Sequence, residues 1–196
     1  MREMIRMVVV LTVLSAFSGG LLAAIRNGTA DQIENQKIQF VKGPVLKELY
    51  QNVSNDPLTD RFKITDGDKE YTFFVGVTDG VANGVAFDVG SKGFGGDIGV
   101  MVAINVVEDK LIGASITTHQ ETPGVGAKAK DDTGFKQQFA GIDASSEVKV
   151  NQDGGSINAV SGATITSRGV CAGVTTAIEL YKKLKPQIEE QLKNFK

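Results

Sequence analysis

From Met7 to Ile25 the chain reads MVVVLTVLSAFSGGLLAAI, with no charged side chain, and this run constrains the fold more than any other stretch. Hydrocarbon offers no water to the peptide groups, so such a run must close its backbone hydrogen bonds on itself as a helix. At about 1.5 Å per residue it is long enough to cross a bilayer core of about 30 Å. A cleaved signal peptide is the competing reading. Its apolar core normally covers only about 7–15 residues, and Ala23-Ala24-Ile25 is a poor cleavage signal. The run therefore predicts an uncleaved, single-pass anchor in the cytoplasmic (inner) membrane. Arg2 and Arg6 precede it and Arg26 follows it, a bias that predicts a cytoplasmic N-terminus and an extracytoplasmic main domain. Ser15, Gly19 and Ala23 recur every four residues, which suits either close approach of another membrane helix or plain contact with lipid.

The remainder has the composition of a folded domain, with 41% hydrophobic and 22% charged residues in a chain of 196. The formal net charge of -2, without a basic cluster interleaved with aromatics, argues against a nucleic-acid partner. One cysteine, Cys171, rules out an intrachain disulfide, and it reads as a packed small side chain. With His119 as the lone histidine there are too few soft ligands for a transition-metal centre. Neither a metal site nor a catalytic acid, base or nucleophile is expected, and the chemistry should rest on a borrowed organic cofactor.

Asn27-Gly28 predicts a break after the span, and Thr29 with Gln32 has the pattern of a capping box opening a second helix. That helix would carry Ile33, Ile38, Phe40 and Val41, be interrupted or kinked at Pro44, and run to about Tyr50 before a polar loop from Asn52 to Asp60. Strands follow from about Lys63. Tyr71 to Val77 and Val85 to Val89 are separated by a Gly/Asn turn, and Gly99 to Val107 pairs with Leu111 to Thr118 around Glu108-Asp109-Lys110. Phe135 and Phe139 predict a short helix. Val148 to Val150 and Ile157 to Val160 bracket a turn at Asp153-Gly154-Gly155. The last helix is expected to start near Thr166 or Ser167, with Val170, Val174, Ile178 and Tyr181 as its buried stripe, an interruption at Pro186, and a charged tail from Gln187 to Lys196 that can continue as a solvated helix. Consecutive strands with helices at both ends predict an α+β fold: an anchor over 1–28, helix and linker over 29–62, and a domain over 63–196 with a mainly antiparallel sheet flanked by helices.

Three glycine-bearing signatures stand in that domain. Gly93-Phe94-Gly95-Gly96-Asp97-Ile98 lies between two strands and does not open a helix, which excludes a dinucleotide fingerprint and leaves a bulge or turn. His119-Gln120-Glu121-Thr122-Pro123-Gly124-Val125-Gly126 forms a shaped loop that can lie against a ring system or serve as a rigid turn. Ser161-Gly162-Ala163-Thr164-Ile165-Thr166-Ser167 precedes the last helix. Its hydroxyls suit a phosphate at the positive helix end, or ordinary capping.

Taken in order with the anchor, these motifs resemble the extracytoplasmic FMN-binding subunits of the Rnf and sodium-translocating NADH:quinone reductase complexes. The likeness covers nearly the whole chain, and the compact length looks more like the G subunit of Rnf than the longer C subunit of the quinone reductase. The resemblance implies an FMN-binding domain over 63–196, with FMN held covalently by a phosphoester to Thr164. Ser161, Gly162, Ala163 and Thr166 would shape the phosphate turn. Glu121, Thr122, Pro123, Gly124, Val125 and Gly126 would be candidates for contact with the flavin ring. It also implies a flavin transferase as a maturation partner, whose recognition pattern has an acidic residue where this chain has Asn158. The other subunits of a membrane complex would be its partners in electron relay between ferredoxin and NAD. The alternatives are the equivalent quinone-reductase component, a free-standing extracytoplasmic flavoprotein or regulatory flavin module, and a flavin-free binding domain capped by Thr164.

Overall fold

The computed structural model describes residues 1–195 and divides the chain into two compact units, Met1–Phe40 and Val41–Lys196. The first unit is built on one helix, α1 (Arg2–Lys37). Its stretch Arg2–Ala30 is long and apolar enough to cross a membrane, and no part of that apolar stretch is buried by protein. The expected break at Asn27-Gly28 does not occur. Thr29 is not an N-cap either: its hydroxyl donates to Ile25 O at 2.9 Å inside the helix. A glycine costs only about 1 kcal/mol in a helix, less than abandoning a helix already nucleated on both sides. A wide π-helical turn, Ile38–Lys42, follows α1.

In the second unit a short helix, α2 (Gly43–Leu49), accepts Pro44 in its first turn, where the missing N–H has no intrahelical partner to lose. Five strands then form one antiparallel sheet in sequence order: β1 (Arg61–Asp66), β2 (Lys69–Thr78), β3 (Val81–Lys92), β4 (Asp97–Asn105) and β5 (Lys110–Thr118). Asp79 and Gly80, both with positive φ, make the β2–β3 turn. The expected turn between Val77 and Val85 thus falls at Asp79-Gly80, and Asn83-Gly84 lies inside β3. Gly84 is needed there for another reason: a Cβ would stand 3.0 Å from Cε1 of Tyr50, which packs on the sheet and donates to Phe74 O at 3.2 Å.

The sheet is buried on both faces, which explains its nearly continuous apolar strands. Phe73, Phe87, Val100 and Val102 belong to the main core with the last helix, α5 (Thr164–Leu192). Phe74, Ala86, Met101 and Ala103 are buried on the opposite face, where α2 brings Leu46 and Tyr50. Burying a side chain such as Phe87 stabilises the fold by about 1.5–3 kcal/mol. Between β5 and α5 come α3 (Lys128–Asp131) and α4 (Thr133–Gln137), the second carrying Phe135 as expected and opened by Asp132, whose carboxylate accepts the Phe135 N–H at 2.8 Å. The segment around Asp153 is a 3₁₀ turn, Asn151–Asp153, closed by one parallel bridge, Val150 to Ile157, and not an antiparallel pair of strands.

α5 crosses β3 and β4 at close range. A Cβ at Gly169 would collide with Lys92 O, and one at Gly173 would meet Val100 Cγ2 at 2.9 Å. Ser91 Oγ donates to Gly169 O at 2.7 Å. The helix begins at Thr164, two or three residues earlier than expected, and continues through Pro186. Ile188 and Leu192 beyond the proline are buried, so packing outweighs the one hydrogen bond that Pro186 removes.

Candidate functional site

The chain enters α5 through a tight turn at 160–163. Gly162 holds φ +78°, a conformation that costs a glycine little and any other residue more. The Ala163 N–H donates to Val160 O at 2.9 Å. Ser167 fastens the other side, accepting the Val160 N–H and donating to Ala163 O, both at 3.0 Å. Ala163 is thus the N-cap residue and no side chain caps the helix. Neither Ser161 nor Thr164 serves as a cap. Thr164 is the first helical residue, half-buried, and the amides of residues 164–166 are donors without an intrahelical acceptor. The dipole of a 29-residue helix adds partial positive charge at this end. A phosphate or other anion fits such a place.

The three glycine-bearing signatures meet at Glu121. The residue is 6% exposed. Oε1 accepts the Gly95 N–H at 3.1 Å, and Oε2 accepts the Thr166 hydroxyl at 2.7 Å. A Cβ at Gly93 would collide with Oε1 and one at Gly126 with Oε2, so the carboxylate lies in a slot between two glycines. His119 Nδ1 accepts the Glu121 N–H at 3.3 Å, a local bracing role. Beyond Glu121, Thr122 O accepts the amides of Val125 and Ala127 at 3.2 Å, closing the loop, and Gly124 turns it with φ +74°.

The structure brings Glu121, Gly126 and Thr166 together. Thr122, Pro123, Gly124 and Val125 form the exposed tip of the same loop, and Ser161 and Gly162 are exposed on the turn before α5. No hydrogen bond joins that tip to Ser161, Gly162, Ala163 or Thr164 among the described residues. Each signature also presents one exposed apolar side chain: Phe94 at 69%, Val125 at 47% and Ile165 at 49% exposure. Phe94, Gly95 and Ser167 were absent from the expected site. The Gly-Phe-Gly-Gly pattern was the only signal for Phe94 and Gly95, and Ser167 closes the Ser161–Ser167 signature; local spacing cannot tell that Gly95 meets a residue in another loop.

Cys171 is buried, and burial pushes its thiol up to about 12, with the Asp153 charge adding to the effect. It is an inert packing group. Arg168 grips Asp153 with two hydrogen bonds of 2.7 Å, which hold the Asp153 carboxyl below the usual carboxylate range. A cavity of about 640 Å³ lies elsewhere, lined by Leu49, Tyr50, Asn105, Gly113 and Lys136 among others, and touches none of the signatures. Size favours the cavity as a binding site. The uncapped helix end and the convergence on Glu121 favour the signatures, and chemistry outweighs volume here.

Comparison with known proteins points the same way. The FMN-binding domain family matches residues 93–179, a span that includes all three signatures. The G subunit of the proton-translocating ferredoxin:NAD(+) oxidoreductase complex of Clostridium ljungdahlii is 34% identical over 72% of this chain and 79% of its own. The G subunit of the ion-translocating oxidoreductase complex of Vibrio cholerae is 28% identical over 93% of this chain and 92% of its own. The fold resembles that of the C subunit of the Na(+)-translocating NADH-quinone reductase from Parabacteroides distasonis, with a TM-score of 0.54 and 21% identity over 83% of this chain and 96% of that one. The chain belongs to the family of G subunits of ion-translocating oxidoreductase complexes.

Proposed function

We propose that this protein is the membrane-anchored flavoprotein component of an Rnf-type ion-translocating ferredoxin:NAD oxidoreductase complex, relaying electrons through FMN joined covalently to Thr164. α1 would be its single membrane span, with the domain on the extracytoplasmic side and the other subunits of the complex as its partners. The observation that carries the site is the start of α5 without a side-chain cap, where Thr164 is the first helical residue beside amides with no intrahelical acceptor. FMN, when bound, supplies reversible one- and two-electron redox chemistry.

The residues divide the remaining work. Thr164 offers the ester oxygen. Gly162 and Ala163 keep the approach to it free of bulk, and Ser161 lies exposed on the same turn. The helix end stabilises the remaining phosphate charge by about 0.3–1 kcal/mol, too little to retain a cofactor, so retention falls to the covalent bond and a flavin transferase is needed to make it. Phe94, Val125 and Ile165 supply apolar surface for a ring, with Thr122, Pro123 and Gly124 shaping its border. A tethered ligand needs no deep pocket, because attachment replaces the binding energy a pocket would provide.

The test is intact mass after denaturation, on protein produced with a competent flavin transferase. Wild type should carry the added mass of FMN and fluoresce on a denaturing gel, and Thr164→Val should lose both. An unmodified wild-type chain would sink the covalent assignment.

A further inference from the structure

We propose that Glu121 is a positioning residue that holds the attachment turn by its shape, its two oxygens bridging the Gly93–Gly96 turn and the first turn of α5, and not by its charge. The proposal rests on the reading of Thr164 as the FMN acceptor. Three segments distant in the chain converge on one side chain: Gly95 donates to Oε1 and Thr166 to Oε2. Thr166 lies in the same helical turn as Thr164, so fixing its hydroxyl fixes the helix start that presents the acceptor. Gly93 and Gly126 leave room for a carboxylate of this length and nothing wider. Glu121 is the one charged side chain among the buried polar residues described, and none of the described ion pairs includes it.

A negative charge at this helix end opposes an incoming phosphate, which draws on the same partial positive charge. What the site needs from residue 121 is therefore reach and two hydrogen-bonding atoms. Glutamine provides both: its carbonyl accepts from Gly95, and its amide donates to a Thr166 hydroxyl turned to receive it. Aspartate keeps the charge but is one methylene too short to bridge.

The experiment compares Glu121→Gln and Glu121→Asp in the full chain, each produced with a flavin transferase. It reads FMN mass per chain and amide hydrogen exchange at Gly95 and residues 164–167. Glu121→Gln should lose at most about threefold in loading rate and keep slow exchange, whereas Glu121→Asp should load at least about tenfold more slowly and exchange faster at Gly95. Exchange at Val100 and Val102 should be unchanged in both, separating a local displacement from loss of the fold. Loading of Glu121→Asp at the wild-type rate overturns the proposal. So does failure of Glu121→Gln alongside retention by Glu121→Asp, which would give the role to charge. A wild-type chain that takes no FMN, with the exchange pattern as expected, overturns the acceptor reading and leaves the bridge standing.

Discussion

α1 and α5 are both long helices, yet different physics holds each. In α1 the side chains of Leu11, Leu14, Phe17 and Leu22 are covered by no protein, and the Thr12 hydroxyl turns back to Val8 O at 2.8 Å. Such a helix is held by its own backbone bonds and by the lipid its surface suits. In α5 the stripe Val170, Val174, Ile178, Tyr181, Leu184 and Ile188 is buried, and the opposite side is charged. Tertiary packing holds α5, and it fixes the helix along and around its axis. Only a helix fixed in that way can present one hydroxyl at one place. This is why the proposed attachment point suits the first turn of α5.

The sharpest way to break the comparison is to place a charge in each helix. Val174→Lys puts an unpaired ammonium in a fully buried position. That costs several kcal/mol, a large part of a domain's total stability of about 5–15 kcal/mol. Circular dichroism should find the domain unfolded, with no FMN attached. Leu14→Arg should cost about 2.5–3.5 kcal/mol of membrane insertion and leave the domain folded. Alkaline extraction would release this variant from membranes. A variant of α1 that unfolds the domain, or one of α5 that spares it, would erase the distinction between the two helices.

Smaller side chains sharpen the same contrast. Gly173→Val forces an isopropyl group against Val100 and Ser91. It should destabilise the domain by about 1–3 kcal/mol, lowering its thermal midpoint by several degrees. A Cβ at Gly19 would meet nothing within 4 Å beyond its own helix backbone, so Gly19→Val should leave that midpoint unchanged. If Gly19→Val nonetheless weakens co-purification with other membrane subunits, the Ser15, Gly19, Ala23 stripe is a helix contact and not a lipid face.

The span, the order of strands and the buried stripe of α5 were legible because each depends on local hydrophobic period. Misread features were those decided at long range. Asn83-Gly84 has the pattern of a turn, but Tyr50, just after α2, requires a bare backbone within a strand. Pro186 should stop a helix, but the buried Ile188 and Leu192 carry it onward. Asn27-Gly28 is a local exception: it has the pattern of a break, but helix on both sides prevails. In the candidate site the three motifs were visible and their meeting point was not. Glu121 read as a candidate for ring contact, and nothing local foretold that its carboxylate is turned inward to Gly95 and Thr166.

The far half of α5 makes a prediction about pH. Tyr181 donates to Asp109 Oδ1 at 2.7 Å, and Lys185 donates to both Asp109 oxygens at 2.7 and 2.6 Å. Asp109 sits in the β4–β5 turn with φ +52°, so this cluster ties the turn to the helix. Lys185 first, then Tyr181, holds the Asp109 carboxyl below the usual range. Burial first, then Asp109, pushes the Tyr181 phenol above its ordinary value. A lowered carboxylate contributes stability above its unfolded value of about 3.9 and loses it as pH falls through the lower folded value. A raised phenol contributes below about 10 and loses it as pH rises through the folded value. Asp109 is half exposed, so solvent screening keeps its share small. Tyr181→Phe should cost about 1 kcal/mol at neutral pH, flatten the alkaline decline and make the acid decline shallower. Urea unfolding of the detergent-solubilised protein from acid to alkaline pH measures all three effects. An alkaline decline as steep as that of wild type would show that Tyr181 is not the group responsible, and would leave this end of α5 to apolar packing and the Lys185–Asp109 pair.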